Sequence, residues 1–346
     1  MTAFPEELFN RDGAIYMGAR RDPAGCQVGL FGVPYDGTTS FRPGTRFGPA
    51  AIRQVSDGLE TYDPQLDADL EDIAYADLGA VEISFGAPEP VVEAVQQATT
   101  AVLNLGLKPL MLGGEHSISS GAVAAVAEHH PDLVLLQLDA HADLRDSWLG
   151  GRHSHACAMR RCLEVLPSGE LLQLAIRSGT KEEFQELRRE QRLIDLQQLA
   201  VRLEAIKGRP LYLTVDLDWF DPSVMPGTGT PEPGGYHWAD FAAVLEVLKE
   251  QSRVNEIELP RFERWCVDVA LDKKNLIQSS ASRFFPSNRQ EVGIEIHGGD
   301  LAIWMTFCNQ SADHTRATGQ IKNALPILQT DTLQQRSLQS CCLTGL

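Results

Sequence analysis

The sequence LVLLQL, residues Leu133–Leu138, is followed at once by DAHAD, residues Asp139–Asp143. The first of these stretches is short and apolar, which is typical of a strand that is buried on both faces of a sheet. Two further apolar runs, Leu110–Leu112 and Leu211–Val215, are also followed by polar motifs. The apolar run Val28–Val33 predicts a further strand, and helical patterns lie between the three runs, at Ser119–His129, Lys181–Arg192 and Leu196–Ile206. The sequence therefore predicts an α/β fold with a parallel sheet that is covered by helices on both faces.

The length and composition of the chain suit a single large α/β domain. It has 346 residues, of which 43% are hydrophobic and 22% are charged. These values exclude a disordered tail protein, a coiled coil and a fibrous repeat. No linker rich in glycine or serine divides the chain, so we expect one domain over residues 1–255. We expect residues 256–346 to be an atypical C-terminal segment that is partly disordered or poorly packed.

The acidic charge balance restricts the possible partners. The chain carries 47 Asp and Glu against 30 Lys and Arg, which gives a formal net charge of −17. Such a field repels nucleic acid and anionic membranes, and it attracts small cationic molecules. No apolar run is as long as the ~18 residues of a membrane span, so none is expected. The irregularly spaced cysteines argue against a disulfide framework and for a reducing, cytoplasmic location.

Polar residues cluster where the predicted strands end, at the edge of a parallel sheet where ligands bind. The candidate metal ligands are His116, Asp139, His141, Asp143, Asp216 and Asp218. Two of the motifs place their candidates at alternate positions, so that the side chains share one side of an extended segment. Each motif alone is common in turns and helix caps, but together they bring four carboxylates and two imidazoles to one edge. Two divalent cations would cancel the negative charges, and these donor types favour ions such as Mn²⁺.

Three motifs resemble the signatures of the ureohydrolases, the arginase and agmatinase family. They are GGEHS at Gly113–Ser117, DAHAD at Asp139–Asp143 and DLDWFDP at Asp216–Pro222. Two more stretches are similar to the agmatinase branch, namely GVPYDGTTS at Gly32–Ser40 and RPGTRFGP at Arg42–Pro49. The resemblance implies a three-layer α/β/α sandwich around a mostly parallel central sheet.

The resemblance also implies a metal centre with two Mn²⁺ ions per chain. Asp139 and Asp216 would bridge the two ions. The other ligands would divide between the ions as two pairs, His116 with Asp143 and His141 with Asp218. Family members use such a centre to hydrolyse a guanidinium group to an amine and urea.

Three residues are expected to act on the guanidinium group because they match positions of the family. His155, which lies between Ser154 and Ala156, matches the proton-shuttling histidine of a mobile loop. Thr230 matches a residue that lines the guanidinium pocket. Glu258 is the nearest candidate for the carboxylate that pairs with the guanidinium, although its spacing from the last motif is short.

Two loops are expected to contact the far end of the substrate. Asp36 in one loop and Asp146 in the other would suit an ammonium group. Arg145 and Arg152 would instead suit a carboxylate group. The net acidity favours the first arrangement, so we expect both aspartates to be substrate-binding residues.

The expected function is the Mn²⁺-dependent hydrolysis of a guanidino compound, namely agmatine, to putrescine and urea by a homotrimer or homohexamer. One alternative is another ureohydrolase that acts on guanidinobutyrate or free guanidine. Others are a metal-binding protein that has lost its activity and a deacylase with a single Zn²⁺. The sequence departs from the family pattern after Val254. If the final segment is a displaced reading of the usual ending, we expect weak or no activity.

Overall fold

Short parallel strands alternate with helices along the chain. A computed structural model describes residues 4–63, 68–84 and 86–253, and every element named below lies in these ranges. The strands are β1 (Phe9–Asn10), β2 (Val28–Val33), β3 (Tyr62–Asp63), β4 (Ala68–Asp69), β5 (Tyr75–Val81), β6 (Lys108–Gly113), β7 (Val134–Leu138), β8 (Leu171–Leu174), β9 (Leu193–Ile194) and β10 (Leu211–Val215). The helices are α1 (Gly48–Ser56), α2 (Pro88–Asn104), α3 (Ser119–His129), α4 (Ala158–Val165), α5 (Lys181–Arg189), α6 (Leu196–Ala205) and α7 (Trp238–Arg253).

The longer strands pair in two four-stranded sheets. Their orders are β1-β5-β2-β6 and β10-β7-β8-β9, and the small ribbon β3-β4 is separate. All pairs in the two sheets are parallel apart from β1 with β5. Strands β7 and β10 are paired residue for residue, so that Leu138 lies opposite Val215. The polar residues that follow these two strands therefore begin at the same level.

Alternate residues of the central strands pack into two different apolar clusters. In β7, Leu136 and Leu138 belong to one cluster, whereas Leu135 belongs to the other. Helices α1, α6 and α7 contribute to the first cluster, and helices α2 to α5 contribute to the second. The predicted α/β fold, with a parallel sheet and helices on both sides, is confirmed.

The sequence pattern also predicted several element bounds. Strands β2 and β10 and helix α3 begin and end at the predicted residues. Helix α5 ends before the predicted Arg192, because Gln191 takes a left-handed backbone conformation with φ 53° before the chain enters β9. Strand β5 was not predicted because Asp77 and Gly79 interrupt its apolar pattern. In the fold, Asp77 is buried and paired with Arg53 at 2.7 Å.

The described residues end within α7, at Arg253. The predicted C-terminal segment, residues 256–346, and the candidate residue Glu258 therefore lie outside the described residues. Within the described ranges, none of the helices combines the length and the apolar character needed to cross a membrane.

Helix α3 approaches α2 closely at Gly121. A Cβ atom on Gly121 would lie 2.2 Å from the carbonyl oxygen of Val92, so only glycine fits here without a shift of the helices. Helix α3 follows directly on the 3₁₀ turn His116–Ile118, which contains a candidate ligand. The close contact therefore helps to fix the position of that turn.

We predict that Gly121→Ala destabilises the protein. Overpacking should lower the free energy of unfolding by about 1–3 kcal/mol, although alanine forms helices better than glycine by ~1 kcal/mol. Urea denaturation followed by circular dichroism measures the change. The control is Gly58→Ala, since Gly58 is exposed and its added Cβ would only touch the Val55 carbonyl oxygen at 3.4 Å. Equal stabilities of the two variants would contradict a close contact at Gly121.

Candidate metal centre and active site

The ends of three strands position the candidate ligands. Asp139 follows β7 and Asp216 follows β10, and these strands are neighbours in register. His116 follows β6 and begins a 3₁₀ turn. Asp143 has a left-handed backbone with φ 52°, which aspartate tolerates better than most residues. All four side chains are buried, so the fold places charged groups where water does not solvate them.

The first group of donors surrounds His116. Its Nδ1 atom lies 2.9 Å from Oδ2 of Asp139 and 3.0 Å from Oδ2 of Asp143. Oδ2 of Asp216 lies 3.8 Å from the same nitrogen. His116, Asp139 and Asp216 offer donor atoms within 4.8 Å of one another, which is close enough for a single ion.

The second group of donors adjoins the first and shares Asp139 with it. Nδ1 of His141 lies 3.0 Å from Oδ2 of Asp218 and 3.7 Å from Oδ1 of Asp139. Asp139 therefore presents one carboxylate oxygen to His116 and the other to His141. These two groups bring together all six predicted ligands, with Asp139 in a position to bridge two ions.

The donors fit divalent cations. Nδ1 of His116 is buried and makes no hydrogen bond, although three carboxylates lie near it. Its other ring nitrogen, Nε2, lies 3.0 Å from the hydroxyl of Thr214. A metal-binding imidazole is commonly held in this way, with one nitrogen on a neighbouring polar group and the other free for the ion. The buried nitrogen that lacks a partner is thus what a cation between these carboxylates requires.

The charges of the centre also indicate a site for divalent cations. Burial, and then the neighbouring carboxylates of Asp218 and Asp139, raise the pKa of Asp216 well above its ordinary value. Burial and the charge of Asp139 raise the pKa of Asp143 to about 6. Without a cation these carboxylates retain protons more readily than exposed ones do. Bound divalent ions would remove this repulsion and favour the ionised carboxylates.

A cavity of about 230 Å³ opens onto the metal centre. Its wall includes five of the six candidate ligands, together with Thr230, His155, Arg145 and Trp148. The hydroxyl of Thr230 donates a hydrogen bond of 3.0 Å to Oδ2 of Asp218. The structure therefore places Thr230 beside the second donor group, where a guanidinium group could meet the centre.

His155, the predicted proton shuttle, lies in the cavity wall. Its side chain is partly buried, and this burial lowers the pKa of His155 to about 4. The ring is therefore neutral at pH 7 and can accept a proton. His153, the other histidine of this loop, is not among the residues that line the cavity.

The structure does not bring Asp36 or Asp146 into the cavity wall. The buried carboxylate of Asp36 accepts a hydrogen bond of 2.7 Å from the backbone of Gly44 and forms an ion pair with Arg46. The exposed carboxylate of Asp146 pairs instead with Arg161, at 2.9 Å. Both loops thus use their aspartates for local ion pairs, which sequence spacing alone does not reveal.

Arg145 is the cation that does line the cavity. Its Cζ atom lies 3.8 Å from the centre of the Trp148 ring, and its Nε lies 3.8 Å from Oε2 of Glu183. Arg152, the other predicted cation, is not part of the wall and pairs with Asp146 and Glu164.

Sequence reasoning gave no role to Glu115 and Thr38. Glu115 is buried in the cavity wall, and it accepts hydrogen bonds from both the backbone and the side chain of Thr38. The hydroxyl of Thr38 in turn contacts His155. Both residues lie inside motifs that carry the family resemblance, and that was the only signal available in the sequence.

Comparison with known proteins identifies the class of this protein. The family model described as the Arginase family matches residues 26–260. The chain is 36% identical to the agmatinase of Bacillus subtilis over 252 residues, which are 71% of this chain and 87% of that protein. It is 39% identical to the agmatinase of Bacillus anthracis over 227 residues, which are 64% of this chain and 78% of that protein.

A solved structure shows the same similarity. The agmatine ureohydrolase of Thermoplasma volcanium aligns with a TM-score of 0.61 and 34% identity, over 68% of this chain and 82% of that protein. The chain belongs to the arginase family. It is a hydrolase of the ureohydrolase type, as the sequence predicted, and it has the donor groups of a metal-dependent centre.

We predict that divalent ions stabilise the metal-depleted protein more strongly at about pH 8 than at about pH 6. Ligands must be deprotonated to bind metal, and the raised pKa of Asp143, about 6, means that protons compete at the lower pH. The shift of the thermal unfolding midpoint on addition of Mn²⁺ measures the effect. Asp216→Asn should reduce the shift, whereas Asp132→Asn, at an exposed position, should retain it. A shift that is equal at both pH values would contradict this account.

Proposed function

We propose that the protein hydrolyses agmatine to putrescine and urea, with two Mn²⁺ ions held by His116, Asp139, His141, Asp143, Asp216 and Asp218. The observation that carries the proposal is the shared position of Asp139. One of its oxygens lies 2.9 Å from Nδ1 of His116, and the other lies 3.7 Å from Nδ1 of His141. Adjacent donor groups around one carboxylate are the arrangement that a pair of ions needs. The agmatinases similar to this chain support the choice of substrate.

Held by these six residues, divalent ions would supply the Lewis acidity that lowers the pKa of a bound water molecule towards 7. The chain's own residues then have three tasks. Thr230, fixed on Asp218, helps to hold the guanidinium group beside the centre. The wall of the cavity, whose volume is about 230 Å³, limits the room for other water molecules beside the substrate. His155 accepts a proton from the reacting water and returns it to the departing amine nitrogen, so that the leaving group is neutral and the ring is restored.

Charge supports a cationic substrate. The chain has a net charge of −17, and the cavity wall contains the carboxylate of Glu115, which is not one of the six proposed metal ligands. Glu232 adds a carboxylate near the second donor group, since its Oε1 lies 3.6 Å from Nε2 of His141. The anionic partner of the guanidinium group stays a prediction for Glu258, which lies outside the described residues. A cytoplasmic homotrimer or homohexamer likewise stays a prediction from the sequence.

We predict that His155→Ala lowers kcat by roughly 10²–10⁴-fold, as is typical for the loss of an acid–base group. Metal content should be unchanged, because His155 belongs to neither donor group. Steady-state urea release and metal analysis measure the two quantities. His153→Ala is the matched control and should retain most of the turnover, since His153 does not line the cavity. Full turnover of His155→Ala would exclude the proposed shuttle.

One observation favours a second candidate, a ureohydrolase for guanidino acids. Arg145 lines the cavity, whereas Asp36 and Asp146 are engaged elsewhere. A cation in the wall stabilises a carboxylate at the far end of a substrate and repels an ammonium group there. The ion pair with Glu183 reduces this effect, because its Oε2 lies 3.8 Å from Nε of Arg145.

Urea release from agmatine, 4-guanidinobutyrate and free guanidine, with added Mn²⁺, distinguishes the candidates. We expect kcat/KM for agmatine to exceed that for 4-guanidinobutyrate by at least ~10-fold, because Glu183 already pairs with Arg145 and a buried substrate carboxylate without a partner costs several kcal/mol. Arg145→Met should leave or raise the value for agmatine. Arg152→Met is the control outside the cavity wall. Faster hydrolysis of 4-guanidinobutyrate that Arg145→Met abolishes would establish the second candidate, and inactivity on every compound would refute both.

A further inference from the structure

A buried carboxylate lies behind the loop that contacts His155. Oε1 of Glu115 accepts hydrogen bonds of 2.5 Å from the hydroxyls of Thr38 and Ser117. Oε2 accepts a hydrogen bond of 2.7 Å from the backbone N–H of Thr38. The hydroxyl of Thr39 lies 3.5 Å from the same oxygen. Glu115 thus holds Thr38 by both its backbone and its side chain, which gives the hydroxyl of Thr38 one orientation.

The hydroxyl of Thr38 has a single proton and two lone pairs. A carboxylate can only accept, so the proton of Thr38 is directed at Glu115. The backbone N–H of His155 donates to the same hydroxyl oxygen at 3.0 Å and occupies one lone pair. Nδ1 of His155 lies 3.1 Å from that oxygen. Only the second lone pair of the Thr38 oxygen is left to face Nδ1, so Nδ1 must carry a hydrogen for this contact to be favourable.

The second ring nitrogen then has a free lone pair. Nε2 of His155 lies 3.2 Å from the hydroxyl of Ser40, which can donate to it. Ser40 and His155 both line the cavity, so the unprotonated nitrogen lies beside another residue of the cavity wall. The hydroxyl of Ser154 lies 3.4 Å from Nδ1 and can accept there as well, so this contact is compatible with the same tautomer.

We propose that Glu115 and Thr38 are positioning residues that hold His155 as the Nδ1–H tautomer and reserve Nε2 for proton transfer. This inference rests on the shuttle role of His155 proposed above. In the transfer, Nε2 takes a proton from the reacting water and gives it to the departing nitrogen. The hydrogen on Nδ1 stays bonded to Nδ1 and keeps its hydrogen bond to the hydroxyl oxygen of Thr38. No net charge remains on the ring after a turnover.

Removal of the Thr38 hydroxyl tests the proposal. In Thr38→Val the Nδ1–H loses its acceptor and Glu115 loses a donor, so the Nε2–H tautomer should become populated. Solid-state NMR of the sedimented full-length chain, labelled at histidine and loaded with diamagnetic Zn²⁺, measures the tautomer directly. The signals of His155 are assigned by their loss in His155→Asn. Thr38→Ser restores a hydroxyl and should restore the Nδ1–H tautomer.

Kinetics with Mn²⁺ supply the second measurement. We expect Thr38→Val to lower kcat by about 10- to 100-fold, which is less than the roughly 10²–10⁴-fold effect of losing the base itself. KM should change by less than ~3-fold, and Thr38→Ser should recover most of kcat. The matched control is Thr99→Val, which removes a hydroxyl that is buried in α2 and lies outside the cavity wall.

The outcomes separate the possible failures. If Thr38→Val keeps the Nδ1–H tautomer, or if the parent protein already has the Nε2–H tautomer, the positioning role is wrong whatever the activity. If Thr38→Val and Thr38→Ser lose stability and activity to the same extent, the contacts only support the loop, and the proposal also fails. If the tautomer changes as expected while His155→Asn retains full kcat, the shuttle role is wrong, and the hydrogen-bond assignment stands alone.

Discussion

The structure depends on a set of buried carboxylates that repel one another. Asp139, Asp143, Asp216 and Asp218 lie at the ends of buried strands, and burial raises the pKa of three of them. Asp139 is the exception: burial raises its pKa, but the neighbouring imidazoles of His116 and His141 lower it by more. A carboxylate that stays ionised in the middle of the cluster is suited to lie between two cations. The cost of burying these charges is thus the feature that makes the site a strong cation site.

The strands supply the rigidity that such a site needs. A row of buried amides extends from the centre into the sheet. Gln137 donates a hydrogen bond of 2.7 Å to Asp139, and Gln173 on the next strand donates one of 2.5 Å to Gln137. Gln173 also donates to the backbone oxygen of Ala142, at 2.9 Å. These contacts orient the segment Asp139–Asp143 from the sheet side, since each buried amide is costly to leave without partners. Polar residues inside otherwise apolar strands therefore serve the site rather than the core.

Sequence patterns predicted which residues converge on the candidate metal centre, but they did not predict the ion pairs of the loop aspartates. The topology of the sheet accounts for this difference. Asp139 and Asp216 directly follow buried strands in register, so their convergence follows from the topology of a parallel sheet. Asp36 lies in an irregular loop, where its partner is decided by the local path of the chain. The sequence patterns also missed strands β5 and β8. Strand β5 contains Asp77, whose buried ion pair interrupts the apolar pattern, and strand β8 has only four residues.

The same division suggests how specificity is built in this protein. The donor groups and Thr230 are tied to strand ends and to one another, so the guanidinium end has little freedom to change. Side chains of loops also line the cavity, such as Arg145, which lies on the ring of Trp148. His155 belongs to both parts, because a loop carries its ring while Glu115, next to the candidate ligand His116, holds its partner Thr38. A change in the loop side chains can therefore alter the cavity wall while the donor groups at the strand ends keep their places. A peptide bond joins His116 to Glu115, and hydrogen bonds lead from Glu115 through Thr38 to His155. These contacts explain how a histidine on a loop is held at a fixed place in the wall of the cavity at the candidate metal centre.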